Sequence, residues 1–114
     1  MVRCMPDTPV AVGKGVIGIS AGTHAGAGDL DRVQALLEPV GRVIPVPEGQ
    51  LDAVTALSGS GPAYCYHLVE ALIDAGVLLG LRRPLAEELV VATAEGAAAM
   101  LREPGRTPSG CARR

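Results

Sequence analysis

The residues best suited to chemistry lie in the stretch "ALSGSGPAYCYHLVEAL", residues 56–72. Within it Ser58, Gly59, Ser60, Gly61 and Pro62 form a glycine-serine turn that runs into a long apolar segment. Such a turn has two uses. Free N–H groups at a helix N-terminus attract an anion such as a phosphate, and glycines allow two backbones to approach closely. A second group, Gly13, Gly15 and Gly18 in "GKGVIG", matches G-x-G-x-x-G. The dinucleotide fingerprint needs a strand before that pattern and a helix after it. Here "VIGISAG" follows, a strand and then a loop, so a phosphate would meet no helix N-terminus. Lys14 does not turn those glycines into a phosphate-binding loop of the Walker type, because the spacing and the Ser/Thr are missing.

His67, Glu70 and Asp74 are spaced i, i+3 and i+7 and share one helix face. Imidazole and carboxylates are metal ligands, but one helix cannot close a site, and the following helix offers only Glu87, Glu88 and Glu95. A solvated stripe, or a polar contact between subunits, accounts for them better. The three cysteines, Cys4, Cys65 and Cys111, stand at no metal-ligand or C-x-x-C spacing and read as reduced thiols of a cytoplasmic protein. His24 lies in a glycine-rich loop without an identifiable partner. No Ser/His/Asp or Cys/His set suggests nucleophilic catalysis.

The elements that must position these residues fall into two regions. Residues 1–50 alternate short strands with one helix. "MVRC" is strand-like and stops at Pro6, "KGVIGIS" is a β-branched run, and "AGTHAGAG" is a loop. "DLDRVQALLEPV" is helical, with Asp29 or Asp31 at its start, apolar Val33, Leu36, Leu37 and Val40, and Pro39 near its close. "GRVIPVPEG" is a further strand. From Leu51 the pattern is helical throughout. A turn at Arg82-Arg83 separates two helices, and Pro84 with Glu87 and Glu88 opens the second. Residues 104–114, "PGRTPSGCARR", have no periodicity and read as an irregular tail.

Ser60, His67, Glu70 and Asp74 form a polar stripe about 80° wide on an otherwise apolar cylinder. That pattern marks a helix covered on most sides. With 114 residues, no Phe, no Trp and two Tyr, the chain has little with which to cover it, and a second subunit is the natural cover. The small residues Ala92, Gly96 and Ala97 on the second helix suit close packing in the same way. The net charge of −2 and the scarcity of aromatics exclude a nucleic-acid interface. His67, Glu70 and Asp74 interrupt the most apolar stretch, which argues against a membrane span, and "MVRCMPDTPV" has no signal-peptide core.

The segment "DAVTALSGSGPAY" (52–64), with "EALIDAGVLLGL" after it, closely resembles the hallmark segment of pyrroline-5-carboxylate reductases. "RCMPDTPVAVGKG" (3–15) resembles their M-P-N-T-P motif, and "VATAEGAAAML" (91–101) resembles the helix that follows; the likeness runs over about residues 2–108. It implies an α/β fold: the last strands of a Rossmann-type sheet (1–50), then an all-helical, partial dimerisation domain (51–103) and the tail (104–114). It further implies reduction of 1-pyrroline-5-carboxylate, a small-molecule substrate, to proline with NADP or NAD as cofactor.

By the same resemblance Met5, Pro6 and Asp7 form one wall of the cofactor site, and Ser58–Pro62 lies at the domain cleft and dimer turn. The family's own phosphate-binding turn and its S-P-G-G-T-T substrate loop have no counterpart here, so no catalytic residue is assigned and the chain is expected to be inactive alone. Asp7 stands where the family has Asn. A carboxylate only accepts hydrogen bonds and brings a charge unfavourable beside a phosphorylated cofactor. Arg82 stands at a usual proline, with Pro84 two residues later. Where relatives continue P-x-E-L-R this chain reads "PSGCARR"; a GAG-CTG-CGC run that loses one base encodes Gly-Cys-Ala, which suggests a frameshifted end. The expected partners are a second copy of the chain or a full-length reductase. The alternative is a dimerisation or interaction module without catalysis.

Overall fold

The computed structural model describes residues 1–113. They form two compact units, Met1–Cys65 and the stretch from Tyr66 onward. The first contains three strands, β1 (Val2–Met5), β2 (Gly15–Ala21) and β3 (Gly41–Pro45), in the order β1-β2-β3. β1 runs antiparallel to β2, with Met5 opposite Gly18, and β2 runs parallel to β3, with Ile17 opposite Val43. A parallel pair needs a crossover, and helix α1 (Ala27–Leu37) supplies it. The helix begins two residues before the Asp expected at its start. Asp29 still caps it from the third position, its Oδ2 accepting the Gly26 N–H at 3.0 Å.

The sheet is built around β2. Ile17 and Ile19 are fully buried, as is Ser20, and no buried side-chain polar atom among the described residues lacks a partner. Gly15 and Gly41 cross where no side chain fits, since a Cβ on Gly41 would run into the Gly15 carbonyl oxygen. Gly41→Ala is therefore expected to lower stability by about 1–3 kcal/mol, the usual cost of overpacking, seen as a drop in thermal midpoint. Gly18 meets the next element instead. Its Cβ position lies 2.8 Å from Val54 Cγ1, so the short helix α2 (Leu51–Val54) sits directly on β2 with Leu51 buried.

From Leu51 the chain is helical as expected, with one interruption. Residues Thr55–Gly59 form a π turn, with the Ser60 N–H reaching back five residues to the Thr55 carbonyl at 3.0 Å. Helix α3 (Gly61–Leu78) follows.

In the second unit the part of α3 from Tyr66 onward and helix α4 (Arg83–Leu101) make a hairpin through Gly80, whose φ of 97° is a left-handed turn conformation that suits glycine. The helices touch at Gly76, whose Cβ position lies 3.1 Å from the Ala86 Cβ, with Ile73 and Ala86 buried there. The close approach within the hairpin uses Gly76 and Ala86; Ala92, Gly96 and Ala97, expected to suit packing against a second subunit, lie elsewhere on α4. Gly96 has nothing within 4 Å of its Cβ position, and that small-residue face is uncovered in the chain.

The tail is a correction to the sequence reading. Residues Pro108–Ala112 form a short helix, α5, where an irregular segment was expected. Periodicity cannot register five residues, but capping does. Thr107 Oγ1 accepts the Gly110 N–H at 3.1 Å, and Pro108 occupies the first helical position, where its missing N–H costs nothing.

Candidate functional site

The two stretches expected at the site, Met5–Asp7 and Ser58–Pro62, belong to the first unit and meet there. Met5 ends β1, and its Cε lies 2.7 Å from the position a Gly59 Cβ would take. Any side chain at residue 59 would displace the methionine methyl. Of the turn's two glycines, Gly59 meets the flexible end of Met5, and Gly61 has nothing within 4 Å of its Cβ position. Two N–H groups in and beside the turn are taken up within the chain. Ser60 donates to Thr55, and Ala63 donates to the Ser60 carbonyl at 3.1 Å. Two hydroxyls are turned inward too, with Thr55 Oγ1 donating to the Leu51 carbonyl and Ser58 Oγ to the Val54 carbonyl, each at 3.0 Å. Back-bonding of this kind bends or loosens helices, and here it flanks the π turn, a feature often found at functional sites. Ser60 is exposed, and Gly61 and Pro62 are half-buried at the start of α3.

Asp7 is half-buried, and its Oδ1 accepts the Val16 N–H at 2.8 Å. It precedes a tight turn, Thr8–Val12, but its side chain does not cap that turn. The sequence shows the Asn-to-Asp departure; the fold shows that one carboxylate oxygen is committed to the strand beside it. Gly13, Gly15 and Gly18 hold three unrelated backbone positions. Gly13 closes the turn with φ 71°, Gly15 begins β2, and Gly18 lies in its middle under Val54. No helix N-terminus follows them, so they do not cradle a phosphate.

The polar stripe of α3 has a partner that sequence reading missed. Arg83 Nη2 donates to Glu70 Oε1 at 3.1 Å and to Asp74 Oδ1 at 2.8 Å, and Nη1 lies 3.8 Å from Glu87 Oε1. The stripe is solvated as expected, and within the hairpin it also meets Arg83, which the Gly80 turn returns beside the residues one to three turns from the end of α3. All four side chains are about half exposed, so each pair adds little to stability. His67 is exposed, and the described residues contain no group of three His, Cys, Asp or Glu side chains placed to hold a metal. Cys4, Cys65 and Cys111 are free thiols. Among the described residues no helix is long and apolar enough to cross a membrane.

The apolar faces of the hairpin are bare. Tyr64, Leu68, Leu78 and Leu79 are 62–88% exposed. Near the end of α4, Ala97, Met100 and Leu101 line an apolar cavity of about 340 Å³ with Pro108 and Cys111. Large apolar side chains this exposed suit a face that a partner covers.

Comparison with known proteins agrees with this arrangement. Residues 48–114 match the domain family described as pyrroline-5-carboxylate reductase dimerisation. The chain is 51% identical over 109 residues to the pyrroline-5-carboxylate reductase of Corynebacterium melassecola, covering 96% of this chain and 40% of that protein. It is 52% identical over 103 residues to that of Mycobacterium tuberculosis, covering 90% of this chain and 35% of the relative. The chain therefore spans about two fifths of the length of these relatives.

Among solved structures, the Plasmodium falciparum pyrroline carboxylate reductase with NADP bound superposes with a TM-score of 0.87 at 36% identity, covering 92% of this chain and 43% of that one. The Streptococcus pyogenes 1-pyrroline-5-carboxylate reductase gives 0.90 at 30% identity, with 95% and 42% covered. The three-stranded sheet and the helices after it thus superpose together on these reductases, and the helical stretch falls within the dimerisation match. The Met5 side chain against Gly59, a helical hairpin with exposed apolar residues and the family match over residues 48–114 agree: the chain belongs to the pyrroline-5-carboxylate reductase family.

Proposed function

We propose that this chain is part of a reductase that transfers a hydride from NADPH or NADH to the C=N carbon of 1-pyrroline-5-carboxylate, giving proline in the cytoplasm. The observation that carries the reading is the seat of Met5 on Gly59, which joins two distant stretches into one surface. Residues 1–50 are the end of its dinucleotide-binding domain, 51–103 part of its dimerisation domain and 104–114 the tail.

The residues present fit one end of the cofactor. Met5 and Pro6 offer an uncharged surface suited to a nicotinamide ring, and Asp7 turns an oxygen inward to Val16. Neither Met5–Asp7 nor Ser58–Pro62 contains a Lys or Arg for a phosphate, and the Gly13–Gly18 stretch is turn and strand. When bound, the cofactor supplies the hydride. The task of this chain's residues is to exclude water from one face of the reacting pair and to hold that face still, and positioning of this kind supplies much of the rate of a two-reactant step.

A second reading is favoured by the bare hairpin: an interaction module, pairing with itself or with a full-length reductase, without catalysis. Fluorescence titration with NADPH, run beside light scattering, separates the two. Oligomers that quench no NADPH fluorescence support the module. Saturable binding supports the reductase reading for these residues alone, and a monodisperse monomer at micromolar concentration would count against both.

A further inference from the structure

The carbonyl of Asp7 and the N–H of Val16 should be partners, and they are not. In the β1–β2 pair the residue numbers of opposed residues sum to 23: Val2 with Ala21, Arg3 with Ser20, Cys4 with Ile19, Met5 with Gly18. Antiparallel pairs alternate between those that exchange hydrogen bonds and those that do not. Gly22 N–H donates to the Met1 carbonyl at 2.8 Å, so the bonded pairs are 1–22, 3–20 and 5–18. The Ile19 carbonyl confirms the phase, because it points the other way and accepts the Val46 N–H on the β3 side at 2.9 Å.

The next bonded pair would be Asp7 with Val16. The ladder cannot reach it by backbone alone, because the chain leaves the strand after Met5 and the Asp7 carbonyl turns to the Val10 N–H, at 3.4 Å, to open the tight turn. That leaves the Val16 N–H, on a strand whose core is buried, without its ladder acceptor. Val16 is half-buried, and a donor left unmet there loses a hydrogen bond that water only partly replaces. The Asp7 side chain meets it, with Oδ1 at 2.8 Å.

We propose that Asp7 is a positioning residue: its side chain stands in for its own carbonyl, carries the β1–β2 ladder one rung past Pro6, and so pins Met5 on Gly59. The functional weight of this bond rests on the reading that the Met5–Pro6 wall faces the nicotinamide; the bond itself does not. Only an acceptor is needed, so an amide oxygen serves as well as a carboxylate. That is a physical reason for Asp and Asn to exchange at this position.

The test uses the 114-residue chain without cofactor, so its failure is distinguishable from failure of the enzymatic reading. A through-hydrogen-bond scalar coupling between the Val16 amide nitrogen and the Asp7 carboxyl carbon is expected in the unaltered protein. Asp7→Ala should speed exchange of the Val16 amide by about five- to tenfold, the worth of one hydrogen bond, with Ile17 and Ile19 unchanged. It should also weaken the nuclear Overhauser contact between the Met5 methyl and Gly59. Asp7→Asn should restore both. Equal Val16 exchange in all three proteins would overturn the proposal, as would loss of the Met5 contact in Asp7→Asn. Should Asp7→Ala fail to fold, absence of the scalar coupling in the unaltered chain would overturn it.

Discussion

Ala97→Glu is expected to abolish self-association and most of the soluble yield, while Glu70→Gln leaves both near the unaltered level. Ala97 lines the apolar cavity near the end of α4, within the stretch that matches the dimerisation family. A carboxylate placed there and then covered by a partner would be a buried charge without a counter-ion, at a cost of about 3–5 kcal/mol. That is comparable with the whole stability of a marginal domain. Glu70 is exposed, and its neighbour Asp74 keeps the shorter contact to Arg83. Light scattering and soluble yield read the two variants side by side. Equal behaviour would mean that the apolar face of α4 is not the one that is covered.

The second large effect concerns turnover. A polypeptide of residues 1–114 is expected to oxidise no NADPH in the presence of pyrroline-5-carboxylate, above a blank without protein. The rate supplied by holding two reactants in one orientation can reach on the order of 10⁵-fold or more, and it requires walls on every side of them. On the proposed function, Met5–Asp7 and Ser58–Pro62 would supply one of those walls. Grafting the remainder of the Corynebacterium melassecola relative onto this chain should restore turnover. Activity of residues 1–114 by themselves would mean that these residues build a nucleotide site by other means, and would overturn the reading of the Gly13–Gly18 stretch.

Much of this was legible in the residues. Pro6 and the β-branched run 14–20 mark two strands, Pro84 marks the start of α4, and the lack of a helix after Gly18 disposes of the dinucleotide fingerprint. What stayed hidden are contacts between residues far apart in the chain or set by a single hydrogen bond. Met5 on Gly59 spans 54 positions, and no periodicity links them. Arg83 reaching Glu70 and Asp74 depends on the sharpness of the Gly80 turn. The π turn at Thr55–Gly59 adds one residue to a helical pattern whose hydrophobic period hardly changes. The Thr107 cap is readable as chemistry, yet five residues are too few for a helical period to be seen. The side-chain rung at Asp7 becomes visible only once the register of β1 on β2 is known.

The α3–α4 hairpin has a consequence for the order of events in folding. Its contacts are local: Gly76 and Ala86 are ten positions apart, and Arg83 and Glu70 are thirteen apart. Local contacts close quickly, because little chain entropy is lost before they form. The hairpin can therefore be assembled early, on the microsecond scale of helix formation, while its outer faces remain bare. If a partner covers those faces, its later stabilisation depends on an encounter, and so on concentration. Dilution would then lower the melting temperature of the helical part, as mass action requires of any fold completed by association. In a cell, newly made chains would be most open to proteolysis in the interval between closing the hairpin and meeting a partner.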